Sequence, residues 1–212
     1  MKREEKTKRT CERILDAALL EFGTKSYETA SLNAICENNG ISKGLLYHNF
    51  KSRDELYLQC VAMCYDEFVK YLRSDDFESD DIQKTLSRIL ERRQEFFESY
   101  PLYANIFFDT LLRPPKQLVD RINELKSEFD EFNRNRYKEL LGKIRLRDGI
   151  SQEDALEYIN VFQRMYNEYF RYRSNTGESL RELATAHESR LYELLDILLY
   201  GIAEKEQKGE QI

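Results

Sequence analysis

The 212-residue chain contains 8 glycines and 3 prolines, and charged residues make up 34% of it. This composition is typical of a largely helical protein, and no apolar run approaches the roughly 18 to 20 residues that a transmembrane helix needs. The basic N-terminus is not followed by the apolar segment of a signal peptide, and none of the 4 cysteines forms a C-x-x-C pair, so we expect a cytoplasmic protein without a disulfide framework.

Charge is distributed unevenly along the chain. Residues 1–60 contain 10 Lys and Arg against 9 Asp and Glu, whereas residues 61–212 contain 23 against 30. Within the first part, residues 38–51 carry two lysines and no acid. A local positive stretch on an otherwise acidic protein indicates an anionic partner that meets one end of the chain.

The first predicted helix carries a single apolar stripe and is expected to end at Gly23. The stripe recurs at helical spacing and consists of Cys11, Ile14, Leu15, Ala18 and Phe22. A second helix begins after the capping residue Ser31 and ends at Gly40, which supplies the positive φ that a tight helix exit favours.

Two further helix starts follow closely. Ser42 caps a third helix, in which Leu46 and Phe50 form the buried pair. Ser52 and Glu55 form an S-x-x-E capping box, so a fourth helix begins there and continues to about residue 72. Two short helices joined by a turn of about four residues are typical of a helix-turn-helix motif.

The exposed face of the third helix indicates what the motif binds. At 100° per residue, Gly44 and His48 point most directly away from the buried pair, with Leu45 and Tyr47 beside them. Gly44 allows close approach to a surface, and Leu45 suits contact with a thymine methyl group. Tyr47, His48 and Lys51 can donate hydrogen bonds to phosphates. The alternative is a linker helix in an ordinary bundle, but such helices normally carry charges of both signs, so DNA recognition is favoured.

The segment "ILDAALLEFGTKSYETASLNAICENNGISKGLLYHNFKSRDEL", residues 14–56, resembles the DNA-binding domain of the tetracycline-repressor (TetR) family. The agreement includes "ILDAAL", Phe22, Tyr27 before "TAS", Gly40, "SKG", "LYHNF" and "KSRDEL". Cys36 replaces the small residue, usually alanine, that the family has in its second helix, and Asn49 stands where the family often has histidine or tyrosine. The resemblance places these residues at DNA-facing positions: Thr29, Ser31, Ser42, Lys43, Tyr47, His48 and Lys51.

The resemblance implies an all-α protein with two domains. Residues 1–54 would form a three-helix DNA-binding domain, and residues 55–212 would form a helical domain for effector binding and dimerisation. The implied function is a transcriptional regulator, most simply a repressor, that binds a palindromic operator as a homodimer and is released by a small effector. The alternative is a DNA-binding regulator that has no small-molecule ligand and acts through protein partners.

The remaining helices follow from helix-boundary signals. A fifth predicted helix ends before Pro101, a sixth ends before Pro114, and a long helix covers about residues 117–144. Ser151 caps the next helix, which reaches about residue 173, and a capping box with serine at position 179 opens the last one.

The last helix is apolar on two sides, so it must be covered both by its own domain and by something else. Its main stripe has the spacing of a helix-helix seam and consists of Leu180, Ala184, His187, Leu191, Leu194 and Leu198. A monomer that buries both faces internally is the alternative, but a palindromic site favours two-fold symmetry. The predicted dimer interface consists of Phe162, His187, Leu191, Leu194 and Leu198.

Aromatic residues after position 50 indicate an effector site. Most of them are expected to be core, but several are tyrosines, whose hydroxyls need partners when buried. A mostly apolar cavity with a few polar groups would suit a flat, hydrophobic or amphipathic ligand. The predicted lining consists of Phe97, Tyr100, Tyr103, Phe107, Phe108, Phe162 and Tyr166.

Enzyme chemistry is not indicated. The chain has 2 histidines, neither in an E-x-x-H or H-E-x-x-H motif, and it lacks a glycine-rich phosphate loop, so we expect no metal, no cofactor and no catalytic residues. Cys60 and Cys64 lie one helical turn apart. An oxidant-sensing or metal-binding role remains open for them, although buried reduced thiols are favoured.

Overall fold

The structure is a computed structural model that describes residues 2–75 and 82–202. Within these ranges the chain is all-α and contains no β-strand, as predicted. None of the helices described there is long and apolar enough to cross a membrane. The helices are α1 (Lys2–Thr24), α2 (Leu32–Asn38), α3 (Lys43–Asn49), α4 (Arg53–Arg73), α5 (Ile82–Ser99), α6 (Pro101–Leu112), a 3₁₀ turn (Lys116–Leu118), α7 (Val119–Leu125), α8 (Ser127–Gly142), α9 (Gln152–Arg173) and α10 (Leu180–Ile202).

The long helix predicted for residues 117–144 is wrong in detail. The structure has a 3₁₀ turn, α7 and α8 in its place, with a break at Lys126. The backbone there has ψ of 0°, too far from the helical value to continue the hydrogen-bond register. Neither glycine nor proline occurs at the break, so the residue types give no local signal for it.

Gly23 has a different role from the one predicted. It does not end the first helix, because α1 continues to Thr24. A Cβ atom added to Gly23 would lie 2.8 Å from the Cβ of Leu102 in α6. The glycine therefore allows the backbones of α1 and α6 to approach closely.

The described chain divides into two compact units. The first comprises Met1–Ser74 and Gln94–Phe129, and the second comprises Asp75–Arg93 and Asp130–Ile212. Helices α5 and α8 therefore contribute residues to both. The predicted functional boundary after residue 54 stays a prediction, because compactness does not show which residues act on DNA.

The core of the first unit is rich in aromatic rings. Phe22 in α1 and Tyr57 in α4 pack edge to face at 5.0 Å between ring centroids, and Tyr27 lies 4.8 Å from Tyr57. Further along α4, Phe68 stacks on Phe96 at 4.7 Å. These contacts fix α4 against the N-terminal helices at one end and against aromatic residues of α5 at the other.

One hydrophobic cluster in the core of the second unit lies between α8, α9 and α10. Its buried members are Leu141, Ala155, Leu156, Ile159 and Leu198, with partly buried neighbours that include Phe162. At the start of α9, Ser151 and Asp154 form a complete capping box. The predicted helix starts at Ser151 and at Ser179 are both confirmed, because Ser179 also exchanges capping bonds with Glu182.

Candidate nucleic-acid interface

The connection between α2 and α3 is short and held by capping bonds. The Ser31 hydroxyl accepts a hydrogen bond from the Ala34 N–H at the start of α2 (3.5 Å), and the Ser42 hydroxyl accepts one from the Leu45 N–H at the start of α3 (3.2 Å). Between the helices Gly40 has φ of 59°, the left-handed conformation that favours glycine. The two predicted caps and the predicted helix exit are therefore confirmed.

Helix α3 is held by two buried side chains and one amide. Leu46 is 0% exposed and Phe50 6% exposed, so the predicted buried pair is confirmed. The Asn49 amide donates to the carbonyl of Leu45 (2.8 Å) and accepts from the thiol of Cys11 in α1 (3.1 Å). These contacts fix which side of α3 faces outward.

The outward side contains most of the residues predicted to contact DNA. Tyr47 is 54% exposed, and nothing lies within 4 Å of a Cβ atom added to Gly44. The exposed members of the predicted set are Thr29, Ser42, Lys43, Gly44, Tyr47, His48 and Lys51. Ser31 and Leu45 are half-buried. The members in α3 lie together on one accessible surface, as the helical spacing predicts.

This surface has little negative charge. Glu37 is the only acid between residues 29 and 51, and Lys43 and Lys51 are both exposed. The capping box predicted for the start of α4 is half formed. The Ser52 hydroxyl accepts from the Glu55 N–H (3.1 Å), but the Glu55 carboxylate accepts from the N–H of Lys51 rather than from that of Ser52 (2.5 Å). The backbone N–H of Lys51 is therefore occupied, and its side chain is the group available to an anion.

A buried carboxylate of α1 positions the start of α2. Glu21 is 7% exposed and accepts from the Ser31 N–H (2.9 Å) and the Lys25 ammonium group (2.8 Å). Burial alone would raise the pKa of Glu21, but these two donors more than offset it and lower the pKa below its ordinary value. The role of Glu21 is not evident from the sequence, because its i,i+4 spacing from Lys25 is typical of a solvated surface pair.

Five of the predicted effector residues belong to the first unit. Phe107 is 2% exposed and Phe108 3% exposed, whereas Tyr100 is 44% exposed. Phe97 and Tyr103 are half-buried. Rings fill the space around Phe107: its centroid lies 5.1 Å from that of Phe97 and 5.2 Å from that of Phe108. This region is a packed aromatic cluster in the described conformation.

The other two predicted effector residues belong to the second unit. Phe162 and Tyr166 stack at 5.9 Å, and the Tyr166 hydroxyl donates to the carbonyl of His187 (2.6 Å). The His187 imidazole lies between the Asn167 amide oxygen (3.0 Å from Nε2) and the Glu188 carboxylate (3.1 Å from Nδ1). The polar atoms beside these two rings are therefore engaged within the unit.

The second unit also contains an apolar recess of about 260 Å³, a volume that includes space open to solvent. Its lining contains none of the predicted effector residues and consists of Leu86, Tyr137, Leu140, Leu141, Ile159, Leu195 and Leu198. The Tyr137 hydroxyl accepts from the Gln163 amide (2.7 Å), and burial raises its pKa. This lining is not evident from the sequence, because its leucines have the spacing of ordinary core positions.

The residues predicted for the dimer interface differ in exposure. Within a single chain His187, Leu191 and Leu198 are buried, at 3%, 6% and 4% exposed, and Phe162 and Leu194 are half-buried. More exposed apolar side chains lie on the same two helices. They are Tyr158 (52%), Met165 (68%), Tyr169 (49%) and Tyr172 (73%) on α9, and Ile197 (65%) on α10.

The thiols of Cys60 and Cys64 are buried, each 0% exposed. Burial raises the pKa of Cys60 to about 12 and raises that of Cys64 further above its ordinary value. A protonated, inaccessible thiol reacts slowly with oxidants. In the described part of the chain, no three His, Cys, Asp or Glu side chains are arranged to hold a metal ion.

Family models match both parts of the chain. The model described as "Bacterial regulatory proteins, tetR family" matches residues 14–60, and that described as "Tetracyclin repressor-like, C-terminal domain" matches residues 80–203. The chain belongs to the TetR family. The resemblance predicted from residues 14–56 is thereby confirmed, and this chain is a TetR-family transcriptional regulator with a helix-turn-helix motif. Members of this family are DNA-binding regulators rather than enzymes.

A curated relative and two solved structures are similar to this chain over most of its length. The negative transcriptional regulator IcaR of the biofilm operon in Staphylococcus epidermidis is 24% identical over 196 residues, which are 89% of this chain and 98% of IcaR. Among solved structures, a TetR-family regulator from Chloroflexus aurantiacus has a TM-score of 0.58 at 19% identity and covers 93% of this chain and 95% of its own. FadR from Bacillus subtilis, solved with stearoyl-CoA, has a TM-score of 0.57 at 17% identity and covers 90% and 98%. These structures share the fold.

Proposed function

We propose that this chain is a repressor that binds a palindromic operator as a homodimer and is released by a small hydrophobic or amphipathic effector. The observation that carries the DNA-binding part is the exposed face of α3, where Gly44 and Tyr47 are accessible and no acid is present. IcaR, to which the chain is similar over most of its length, is named as a negative transcriptional regulator, which favours repression over activation.

Each part of the interface has a distinct chemical role in the proposal. Gly44 lets the backbone of α3 approach the floor of the major groove, and Leu45 contacts a thymine methyl group there. Tyr47 and His48 donate hydrogen bonds to phosphates at the edge of the major groove. The remaining contacts go to phosphates and come from Thr29, Ser31, Ser42, Lys43 and Lys51.

The proposed dimer face extends along α9 and α10. The exposed residues of α9 and half-buried Phe162 recur at helical spacing, so they form one stripe along α9. Half-buried Leu194 and exposed Ile197 of α10 extend this apolar face. An exposed apolar patch of this kind marks an interaction site. Three residues of the predicted interface are buried within one chain, so in this proposal they pack behind the face and do not contact the partner: His187, Leu191 and Leu198. Two copies placed symmetrically would present two α3 helices to half-sites about 34–36 Å apart.

One structure of the same fold and two apolar regions of this chain support the effector part. FadR, a structure of the same fold, was solved with stearoyl-CoA, a ligand with a long apolar chain. In this chain the apolar recess beside Tyr137 and the aromatic cluster around Phe107 are the places where an apolar ligand would be accommodated. A ligand there would act by favouring a conformation in which the two α3 helices no longer match the half-site spacing.

The alternative is regulation without a small ligand, through a protein partner. One observation favours it: the 260 Å³ of the recess counts space open to solvent, and the part that a water-sized molecule can occupy, about 10 Å³, is far smaller than the roughly 300–1,000 Å³ of typical ligand pockets. Under this alternative the DNA-binding face is the same, and only the releasing agent differs.

Selection of bound sequences from a random duplex pool tests DNA recognition. We expect the full-length protein to enrich one palindromic sequence. Gly44→Trp, which places a large side chain on the open face of α3, should weaken binding to that sequence by about 1,000-fold or more, to the level of non-specific DNA. Its circular dichroism spectrum should match that of the unsubstituted protein. Gln94→Trp, an exposed position on α5, is the matched control and should bind normally. Failure to enrich any sequence would contradict the proposal.

A screen of small molecules by melting temperature tests whether the protein is released from DNA by a small effector or by a protein partner. A true effector should raise Tm and weaken operator binding, and operator DNA should weaken effector binding by the same factor, because the coupling between two binding sites is reciprocal. If acyl-chain and planar aromatic compounds leave Tm and operator affinity unchanged, the protein-partner alternative is favoured.

A further inference from the structure

Helix α6 packs against the N-terminal helices without an intervening layer of side chains. A Cβ atom on Gly23 of α1 would lie 2.8 Å from the Cβ of Leu102 and 2.9 Å from its Cα and carbonyl oxygen. Real Cβ atoms do not approach other atoms so closely, so α1 and α6 are in backbone-to-backbone contact at this point. A lateral movement of α6 towards α1 would therefore displace the end of α1.

Asn105 of α6 satisfies the end of α1. The carbonyl of Gly23 lies in the last turn of α1, where carbonyl groups lack partners within the helix. The Asn105 amide donates to this carbonyl at 2.6 Å. A side chain of one helix thus caps the C-terminus of another.

Asp109, one turn further along α6, holds the segment that follows α1. One carboxylate oxygen, Oδ2, accepts from the backbone N–H of Tyr27 (3.0 Å) and from the hydroxyl of Tyr57 in α4 (3.3 Å). Asp109 is 3% exposed and Tyr57 0% exposed. Burial raises the pKa of Asp109, and the two donors partly offset that effect. A buried carboxylate is costly unless it is hydrogen-bonded, so this arrangement tolerates little displacement of its donors.

The segment held in this way leads directly to the proposed DNA contacts. Thr29 follows Tyr27 by two residues, and its N–H donates to the carbonyl of Ser26 (3.2 Å), which closes a turn. Ser31 then caps α2. Thr29 is exposed, and its hydroxyl accepts a hydrogen bond from the N–H of Ser26 (3.1 Å) in the same turn. The position of the Tyr27 backbone therefore sets the positions of Thr29 and of the first turn of α2.

We propose that Asn105 and Asp109 are positioning residues of the DNA interface, which hold residues 23–31 so that Thr29 and Ser31 meet the phosphate backbone. This inference depends on the DNA-binding function proposed above. It makes α6 part of the DNA-binding module, because α6 fixes the segment between α1 and α2 directly as well as through Tyr57 of α4. It also means that a change in the packing of α6 reaches the DNA interface through two hydrogen-bonded side chains.

A double-mutant cycle on operator affinity tests this role. The cycle pairs Asp109→Ala with Thr29→Ala, on the palindrome selected with the unsubstituted protein. Asp109→Ala leaves two buried donors unpaired and should weaken operator binding by about tenfold. Thr29→Ala should weaken binding in the unsubstituted background but have little further effect after Asp109→Ala, since residues that act through one another are not additive.

Two comparisons make the cycle specific. Lys51→Ala, outside the segment, should cost the same factor in both backgrounds. Asp109→Asn keeps an acceptor oxygen for both donors and should bind within about threefold of the unsubstituted protein, because the proposal requires the acceptor rather than the charge. If Asp109→Ala does not fold at the assay temperature, half-buried Asn105→Ala replaces it in the same cycle.

The outcomes separate this inference from the proposed function. Additive losses for the position-29 and position-109 substitutions, with normal sequence selection by the unsubstituted protein, would overturn the positioning role and leave DNA binding intact. A loss for Asp109→Ala that equals its loss of folded fraction would also overturn the role. If the unsubstituted protein selects no sequence, the proposed function fails and this inference fails with it.

Discussion

The carboxylate of Glu188 in the second unit contacts the guanidinium group of Arg93 and the imidazole of His187. Arg93 donates to both of its oxygens, at 2.9 and 3.1 Å, and His187 Nδ1 lies 3.1 Å away. Burial alone would raise the pKa of Glu188, but the charge of Arg93 and the hydrogen bond of His187 lower it from 4.5 to about 2. The sequence shows none of this, since Arg93 and Glu188 are 95 residues apart.

This environment predicts a pH-dependent stability. The pKa of Glu188 is lower in the folded state than in the unfolded state, so its contribution is present above pH 4.5 and is lost as the pH falls towards 2. Glu188→Gln should therefore lower the free energy of unfolding by about 3 kcal/mol at pH 7, because it removes the negative charge that Arg93 stabilises in a largely buried ion pair. Chemical denaturation at pH 7, 4 and 3, at one protein concentration, should show the deficit shrinking as the pH falls.

The same substitution at an exposed glutamate tests whether the buried ion pair of Glu188 causes the pH dependence. Glu168 pairs with Arg171 on the exposed surface of α9, with 64% of the carboxylate side chain exposed. Glu168→Gln should change stability little at any of these pH values, because exposed ion pairs contribute little. A deficit for Glu188→Gln that stays constant from pH 7 to pH 3 would show that the ion pair is not its source.

At the scale of helices, two glycines of the N-terminal region have opposite surroundings. A Cβ atom added to Gly23 would lie 2.8 Å from the Cβ of Leu102, whereas a Cβ atom added to Gly44 would meet nothing within 4 Å. Gly23→Ala should destabilise the protein by about 1–3 kcal/mol, since helix backbones have to move apart. Gly44→Ala should stabilise it by about 0.5–1 kcal/mol, since alanine is the better helix former. Thermal unfolding of the two variants measures both changes. Equal effects would mean that α1 and α6 are not in the close contact described.

Local signals in the sequence predict most helix boundaries in this chain. Side chains that cap their own helix, such as Ser42 and Ser151, act within three or four residues, so their effect is readable from spacing. The break at Lys126 and the approach of α6 to Gly23 depend on packing between distant segments. Propensity and periodicity contain no information about such contacts, so they predict one helix over residues 117–144 and do not reveal that Gly23 allows a close helix approach.

The same distinction applies to the candidate site. The face of α3 follows from 100° spacing around Leu46 and Phe50, so its exposed residues are predictable. The residues that hold this face in place, Glu21 and Asp109, are acids that sequence reasoning assigns to the surface or to a cavity. They become visible only when their backbone partners, the N–H groups of residues 31 and 27, are located.

For the whole molecule, the exposed stripe on α9 predicts the oligomeric state. Met165, 68% exposed, lies in the middle of the stripe. Met165→Glu would place a charge in a desolvated interface and should convert the dimer to a monomer at micromolar concentration. Sedimentation equilibrium measures the mass directly. Leu20→Glu, at a 50% exposed leucine of α1, is the control and should remain dimeric. A dimeric Met165→Glu protein would place the interface elsewhere.

The salt dependence of operator binding tests most directly whether the α3 face and the start of α4 contact the DNA backbone. Each phosphate contact contributes about −0.9 to the slope of log affinity against log salt concentration. Lys51→Ala should make that slope shallower by about 0.9, whereas Lys70→Ala, exposed at the other end of α4, should leave it unchanged. A slope that is the same for the unsubstituted protein and for Lys51→Ala would contradict the proposed interface.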